Sequence, residues 1–219
     1  MHIPFNASRR AVLASALLLA ASGGALAQQA LVEGTNYLRL KNPQPVDTGK
    51  KIEVLYFFSF GCPHCRDFHP VLEAWLPSLP ADVEFRRVPV DFGRDQWMVL
   101  GKILYTLEAL GMDEKVYGEV FSAVHDKKLP LYTDKGFFDW AAAKGWDRKK
   151  VEDTFNSFGV ASKMNRARAL AKNYNVQSVP VVFVDGKFQI AASQVGSHAN
   201  MPAAIEQLVA KARAERPKA

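Results

Sequence analysis

Cys62 and Cys65 are the whole thiol inventory of this 219-residue chain, and they stand together as Cys62-Pro63-His64-Cys65. A bridge across so short a loop restricts the unfolded chain by only about 2 kcal/mol, against more than ~4 kcal/mol for a loop of 100 residues. Such a bridge stabilises little and opens easily, which argues against a structural staple. Structural zinc fails on ligand count, because four are needed and the chain has no second cysteine pair or close histidine pair. Thiol–disulfide exchange remains. It requires a thiolate that attacks, a second thiol that resolves the mixed disulfide, and a surface that holds an extended peptide.

The flanking residues say how the pair is positioned. The run Ile52-Glu53-Val54-Leu55-Tyr56-Phe57-Phe58-Ser59-Phe60 is too continuously apolar for a strand with one wet face, and predicts a central strand buried on both sides. Behind the cysteines, Phe68, Val71, Leu72, Trp75 and Leu76 recur at helical spacing. Cys62 therefore starts a helix, where unpaired N–H groups and the positive dipole end favour a thiolate. Cys65, one turn on, is expected to be more buried and less ionised. Pro63 and His64 fill the middle positions, and a protonated His64 would depress the Cys62 pKa further. His69, His125 and His198 have no such neighbour in sequence.

A second motif is Val179-Pro180, where a loop enters an apolar strand. Proline there implies an edge, a bulge or a cis bond, and the residues alone leave cis and trans open. A cis bond would turn the Val179 backbone toward the cysteines, free to pair with a peptide by strand addition.

The chain in between carries these motifs. Asn36–Leu40 reads as a short edge strand, and Val83–Val90 as the second strand of a β-α-β unit that begins with the Ile52–Phe58 strand, with a right-handed crossover. Residues 93–174 show helical periodicity only, in five stripes that include Trp97, Leu100, Ile103, Leu104 and Leu107, and we read them as the packing of an inserted helical subdomain. Strand signals resume at Val179–Val184, turn at Asp185-Gly186 and return through Lys187–Ile190, before a closing helix from Met201. The organisation is residues 28–92 and 175–219 as two parts of one α/β domain, with 93–174 inserted.

Residues 1–27 read as an export signal: Arg9-Arg10, an apolar stretch to Ala21, and Ala25-Leu26-Ala27 as a small-x-small cleavage site. The stretch is short for a bilayer span and Ser22-Gly23-Gly24 interrupts it, which disfavours an uncleaved anchor. Cleavage removes two arginines and no acid, taking the formal charge from +6 to +4. So mild a balance, with both signs interspersed, argues against a nucleic-acid binder.

The set Phe57-Phe58-Ser59-Phe60-Gly61-Cys62-Pro63-His64-Cys65, Pro70, Asn156-Ser157-Phe158, Val179-Pro180 and Phe183-Val184-Asp185-Gly186-Lys187 resembles the DsbA family of periplasmic thiol oxidases, over about residues 30–213. The resemblance implies a thioredoxin-like fold with a helical insertion, Cys62 attacking, Cys65 resolving, and a cis Pro180 facing them. It implies disulfide donation to newly exported proteins and re-oxidation by a DsbB-like membrane quinone reductase. No cofactor or metal is expected beyond the Cys62–Cys65 pair, and a monomer is expected. One position departs from the pattern. Thioredoxin-like proteins often bury an acid six residues before the first cysteine, and here Tyr56 stands there, unable to accept a proton near neutral pH. The rival readings are a reductase or isomerase on the same fold, and a peptide-binding chaperone with incidental thiols.

Overall fold

Seven consecutive residues, Ile52–Phe58, are all buried, and that strand (β2) carries the site. In the computed structural model, which describes residue 2 and residues 30–216, β2 pairs in parallel with β3 (Val83–Pro89) and antiparallel with β4 (Val181–Val184). With β1 (Leu38–Arg39) and β5 (Phe188–Ile190) the sheet runs β1-β5-β4-β2-β3. Paired on both sides and covered on both faces, β2 tolerates only apolar and aromatic side chains, apart from Glu53, whose carboxylate is neutralised by Arg86. The segment read as an export signal lies outside the described residues.

The β4–β5 turn shows why the sequence must be Asp185-Gly186. Both residues take positive φ, 53° and 64°, the two left-handed positions of a hairpin turn. A Cβ on Gly186 would also lie 2.1 Å from the Gln44 carbonyl oxygen, so only glycine lets the segment before β2 cross there.

Helix α1 (Pro63–Trp75) follows β2 and buries Cys65, Phe68, Leu72 and Trp75 against the sheet. Five helices then lie between β3 and β4: α2 (Asp95–Ala109), α3 (Lys115–His125), α4 (Asp134–Ala143), α5 (Arg148–Phe155) and α6 (Phe158–Asn173). Thr133, Asp147 and Ser157 cap α4, α5 and α6 by accepting from backbone N–H groups three residues on. A short helix α7 (Ala192–Val195) and the longer α8 (Met201–Glu215) complete the element order, α8 burying Ile205, Leu208 and Val209. The strand and helix sites read from periodicity are found in this order. The first strand is shorter than the alternation from Asn36 to Leu40 suggests, since only Leu38 and Arg39 pair with β5 before Pro43 and Pro45.

Candidate active site

The turn from β2 to α1 concentrates the chemistry. Cys62 is the N-cap of α1, with φ −95° and ψ 120°, and Pro63 takes the first helical position, where its missing N–H costs nothing. The first helical amides are therefore those of His64 and Cys65; both favour the Cys62 anion, and the Cys65 N–H also donates to the Cys62 carbonyl oxygen at 3.1 Å. The Cys65 thiol donates to the Cys62 sulfur, the strongest of the effects that favour its anion. Together they outweigh partial burial and hold the Cys62 pKa at about 6. The His64 imidazole acts in the same direction but contributes least, behind its own backbone N–H.

Cys65 is the opposite case. Its side chain is wholly buried, and burial, then the neighbouring Cys62, push its thiol well above the ordinary range. The two sulfurs are unbridged here and sharply unequal.

Val179 and Pro180 meet them from the other side. The peptide bond between them is cis, and the Val179 carbonyl oxygen accepts from Cys62 Sγ at 3.5 Å. The predicted residues Cys62, Pro63, His64, Cys65, Val179 and Pro180 are thus gathered at one place, although 114 positions separate Cys65 from Val179.

The helices between β3 and β4 do more than pack among themselves. The His125 ring, at the end of α3, hydrogen-bonds through Nε2 to the Phe60 carbonyl at 2.8 Å, and Phe121 packs edge-to-face on Phe60 with centroids 4.9 Å apart. On α2, Trp97 lies over Gly61 so closely that a Cβ there would come within 2.8 Å of its Nε1 and 3.1 Å of Leu100 Cδ1. Gly61→Ala therefore forces the indole away from the cysteine turn. The expected cost is about 1–3 kcal/mol, read as a lower urea midpoint; an unchanged midpoint would mean that Trp97 swings aside freely.

His198 is a further neighbour that no local motif signalled. It precedes α8, stacks on Phe68 with centroids 5.5 Å apart, and lies 6.4 Å from the His64 ring. Burial lowers the pKa of His198 and of His125, and with Arg87 brings His69 down to about 4, so these imidazoles are neutral around the site at neutral pH. Among the described residues no cluster of three or more histidine, cysteine or acidic side chains is arranged to hold a metal ion.

A nucleophilic cysteine at a helix start, a buried partner one turn on and a proline loop across from both define a thioredoxin-type thiol–disulfide centre. Residues 53–201 match the model of the DSBA-like thioredoxin domain, and the chain belongs to that family. It is 37% identical to the thiol:disulfide interchange protein DsbA of Pseudomonas aeruginosa, covering 94% of this chain and 98% of that protein, and 40% identical to the Burkholderia cepacia DsbA over 84% and 89%. The crystal structure of Pseudomonas aeruginosa DsbA superposes with a TM-score of 0.80 at 38% identity, covering 84% of this chain and 95% of that one. The fold is thioredoxin-like, and the protein is a thiol:disulfide oxidoreductase that donates disulfides.

Proposed function

We propose that Cys62 is the exchanging sulfur of a periplasmic dithiol oxidase and Cys65 its resolving partner. The observation that carries this reading is the inequality of the two sulfurs at one helix start: Cys62 with its pKa near 6, Cys65 sealed and protonated. A client thiolate attacks Cys62 Sγ of the Cys62–Cys65 disulfide, and the electron pair of the broken bond leaves on Cys65. A second client thiol then attacks the client sulfur and expels Cys62, a good leaving group because its anion is stabilised. The client has lost two electrons, Cys65 holds one of its protons, and the other enters solvent.

Pro63 leaves the first helical amides free for Cys62, His64 adds its backbone N–H and a smaller charge effect, and Val179 with Pro180 presents a backbone edge on which an extended client lies. The electrons pass from the reduced pair to a DsbB-like membrane quinone reductase, with no cofactor in this chain and the monomer as working unit. Residues 93–174 serve as the inserted helical subdomain, between 28–92 and 175–219 of the thioredoxin-like domain, and residues 1–27 direct export and are removed.

The deciding experiment is equilibration of the purified mature protein against glutathione buffers. The expected potential lies at least ~100 mV above that of thioredoxin, on a scale whose oxidising end is set by a member of this same family. A thioredoxin-like potential would assign the chain to the reductases.

A further inference from the structure

Tyr56 occupies β2 at the position where the family pattern suggests an acid, and its surroundings give it a different task. The side chain is 2% exposed, and its ring is fixed by Phe58 (centroids 5.3 Å), Phe68 (5.5 Å) and Phe85 (6.2 Å). Its hydroxyl, fully buried, has no hydrogen-bond partner in the dithiol form, although it is close enough to Cys65 for the two groups to act on one another. A buried hydroxyl without a partner costs about 1–3 kcal/mol, and a volume-matched phenylalanine would remove that cost. The aromatic cage holds the orphan donor against one of the two reacting sulfurs.

We infer that the Tyr56 hydroxyl is a catalytic hydrogen-bond donor to the Cys65 thiolate at the moment the Cys62–Cys65 disulfide opens. When a client thiolate forms its bond to Cys62 Sγ, the broken S–S bond leaves its electron pair on Cys65 Sγ, deep in an apolar pocket. Tyr56 then donates its O–H to that anion and keeps its proton, and Cys65 is neutralised by the proton of the second client thiol. An anion draws a shorter and stronger hydrogen bond than a neutral thiol, so the interaction is made in full only as the leaving charge develops.

The geometry also fixes what Tyr56 does not do. The groups that act on the phenol are Cys65, Cys62 and Arg87, and burial with the two sulfurs keeps it protonated far above neutral pH. It cannot take the Cys65 proton when Cys65 must attack during re-oxidation. The Glu53 carboxylate, three residues back, is held by Arg86 and is not available as a substitute.

The inference rests on Cys65 being the sulfur released, and its test separates from that reading. The rate at which glutathione opens the oxidised protein, normalised to glutathione thiolate, is compared for the native protein, Tyr56→Phe, and the protein with mono- or difluorotyrosine at 56. Loss of one charge-assisted bond predicts a rate about tenfold lower or more for Tyr56→Phe, at every pH. Fluorination raises donor acidity at nearly constant volume, and the rate is expected to rise with it; this series decides the matter even where the phenylalanine variant folds poorly. Tyr56→Glu should add a pH inflection as its carboxylate ionises beside the leaving sulfur. A phenylalanine rate within twofold of native, or a fluorotyrosine series with no slope, overturns the role of Tyr56 and leaves exchange at Cys62 standing. Absence of any opening in the native protein would instead overturn the reading of the cysteine pair.

Discussion

Cys62→Ser and Cys65→Ser each abolish disulfide donation, but only Cys65→Ser still traps oxidised clients as mixed disulfides. The first result follows because oxygen forms no disulfide and the remaining sulfur is a poor replacement. With a pKa near 6, Cys62 is roughly 90% thiolate at pH 7 in the reduced protein, whereas burial pushes the Cys65 thiol well above the ordinary cysteine range and leaves it inaccessible besides. In the second variant no Cys62–Cys65 disulfide forms to be donated; its Cys62 thiolate instead attacks the disulfide of an oxidised client, expelling one client sulfur as thiolate, and without Cys65 no thiol of this chain resolves the mixed disulfide. Covalent adducts should therefore accumulate, visible on non-reducing gels and dissolved by a small thiol. The same pair of variants eliminates the chaperone alternative, because suppression of aggregation by peptide binding does not depend on Cys62. Transfer that survived Cys62→Ser would place the exchanging sulfur elsewhere.

The cysteine turn could be read in advance because its geometry is local: an unbroken apolar run, two thiols one turn apart and a proline at the first helical position determine which sulfur meets the helix amides. The helical stripes between β3 and β4 were equally legible as elements, but what they do for the site was not. His125 reaches Phe60 and Trp97 covers Gly61 across 65 and 36 positions, contacts that depend on how helices pack and that leave no spacing signal. His198 is hidden for the same reason, since it meets Phe68 and His64 only when the chain after α7 returns to α1. Sequence reasoning also directs attention to the His64 ring, which acts on Cys62 in the expected direction but not most strongly. The ring is conspicuous between two thiols, yet the Cys65 thiol and the two backbone N–H groups act more strongly on Cys62, through hydrogen bonds. Tyr56 could be seen from the sequence as a missing acid, but that its hydroxyl is left without a partner is a fact of packing alone.

Reduced protein should gain stability relative to oxidised protein as pH rises from about 6 to about 9. The folded pKa of Cys62 is depressed, from 9.0 to about 6, so its contribution is complete above the unfolded pKa and is lost as pH falls through the folded one. Three pKa units correspond to about 4 kcal/mol across the whole window, of which only ~1.4 kcal/mol is developed at pH 7. The oxidised form has no such thiol, and groups common to both forms cancel in the difference. Cys65 has the reverse sign, since its raised pKa makes the reduced form lose stability above about pH 9, so the window closes there. Urea unfolding of both forms at pH 5, 7 and 9 reads the difference directly. The potential carries the same signature: a couple that takes up two protons below pH 6 and one above it changes slope from about 60 to about 30 mV per pH unit. His64→Ala should move that break upward by less than about one unit, because the imidazole is the weakest of the effects acting on the sulfur. A slope that stayed at its two-proton value up to pH 8.5 would mean that Cys62 ionises like a free cysteine, and the thiolate account of this centre would fall with it.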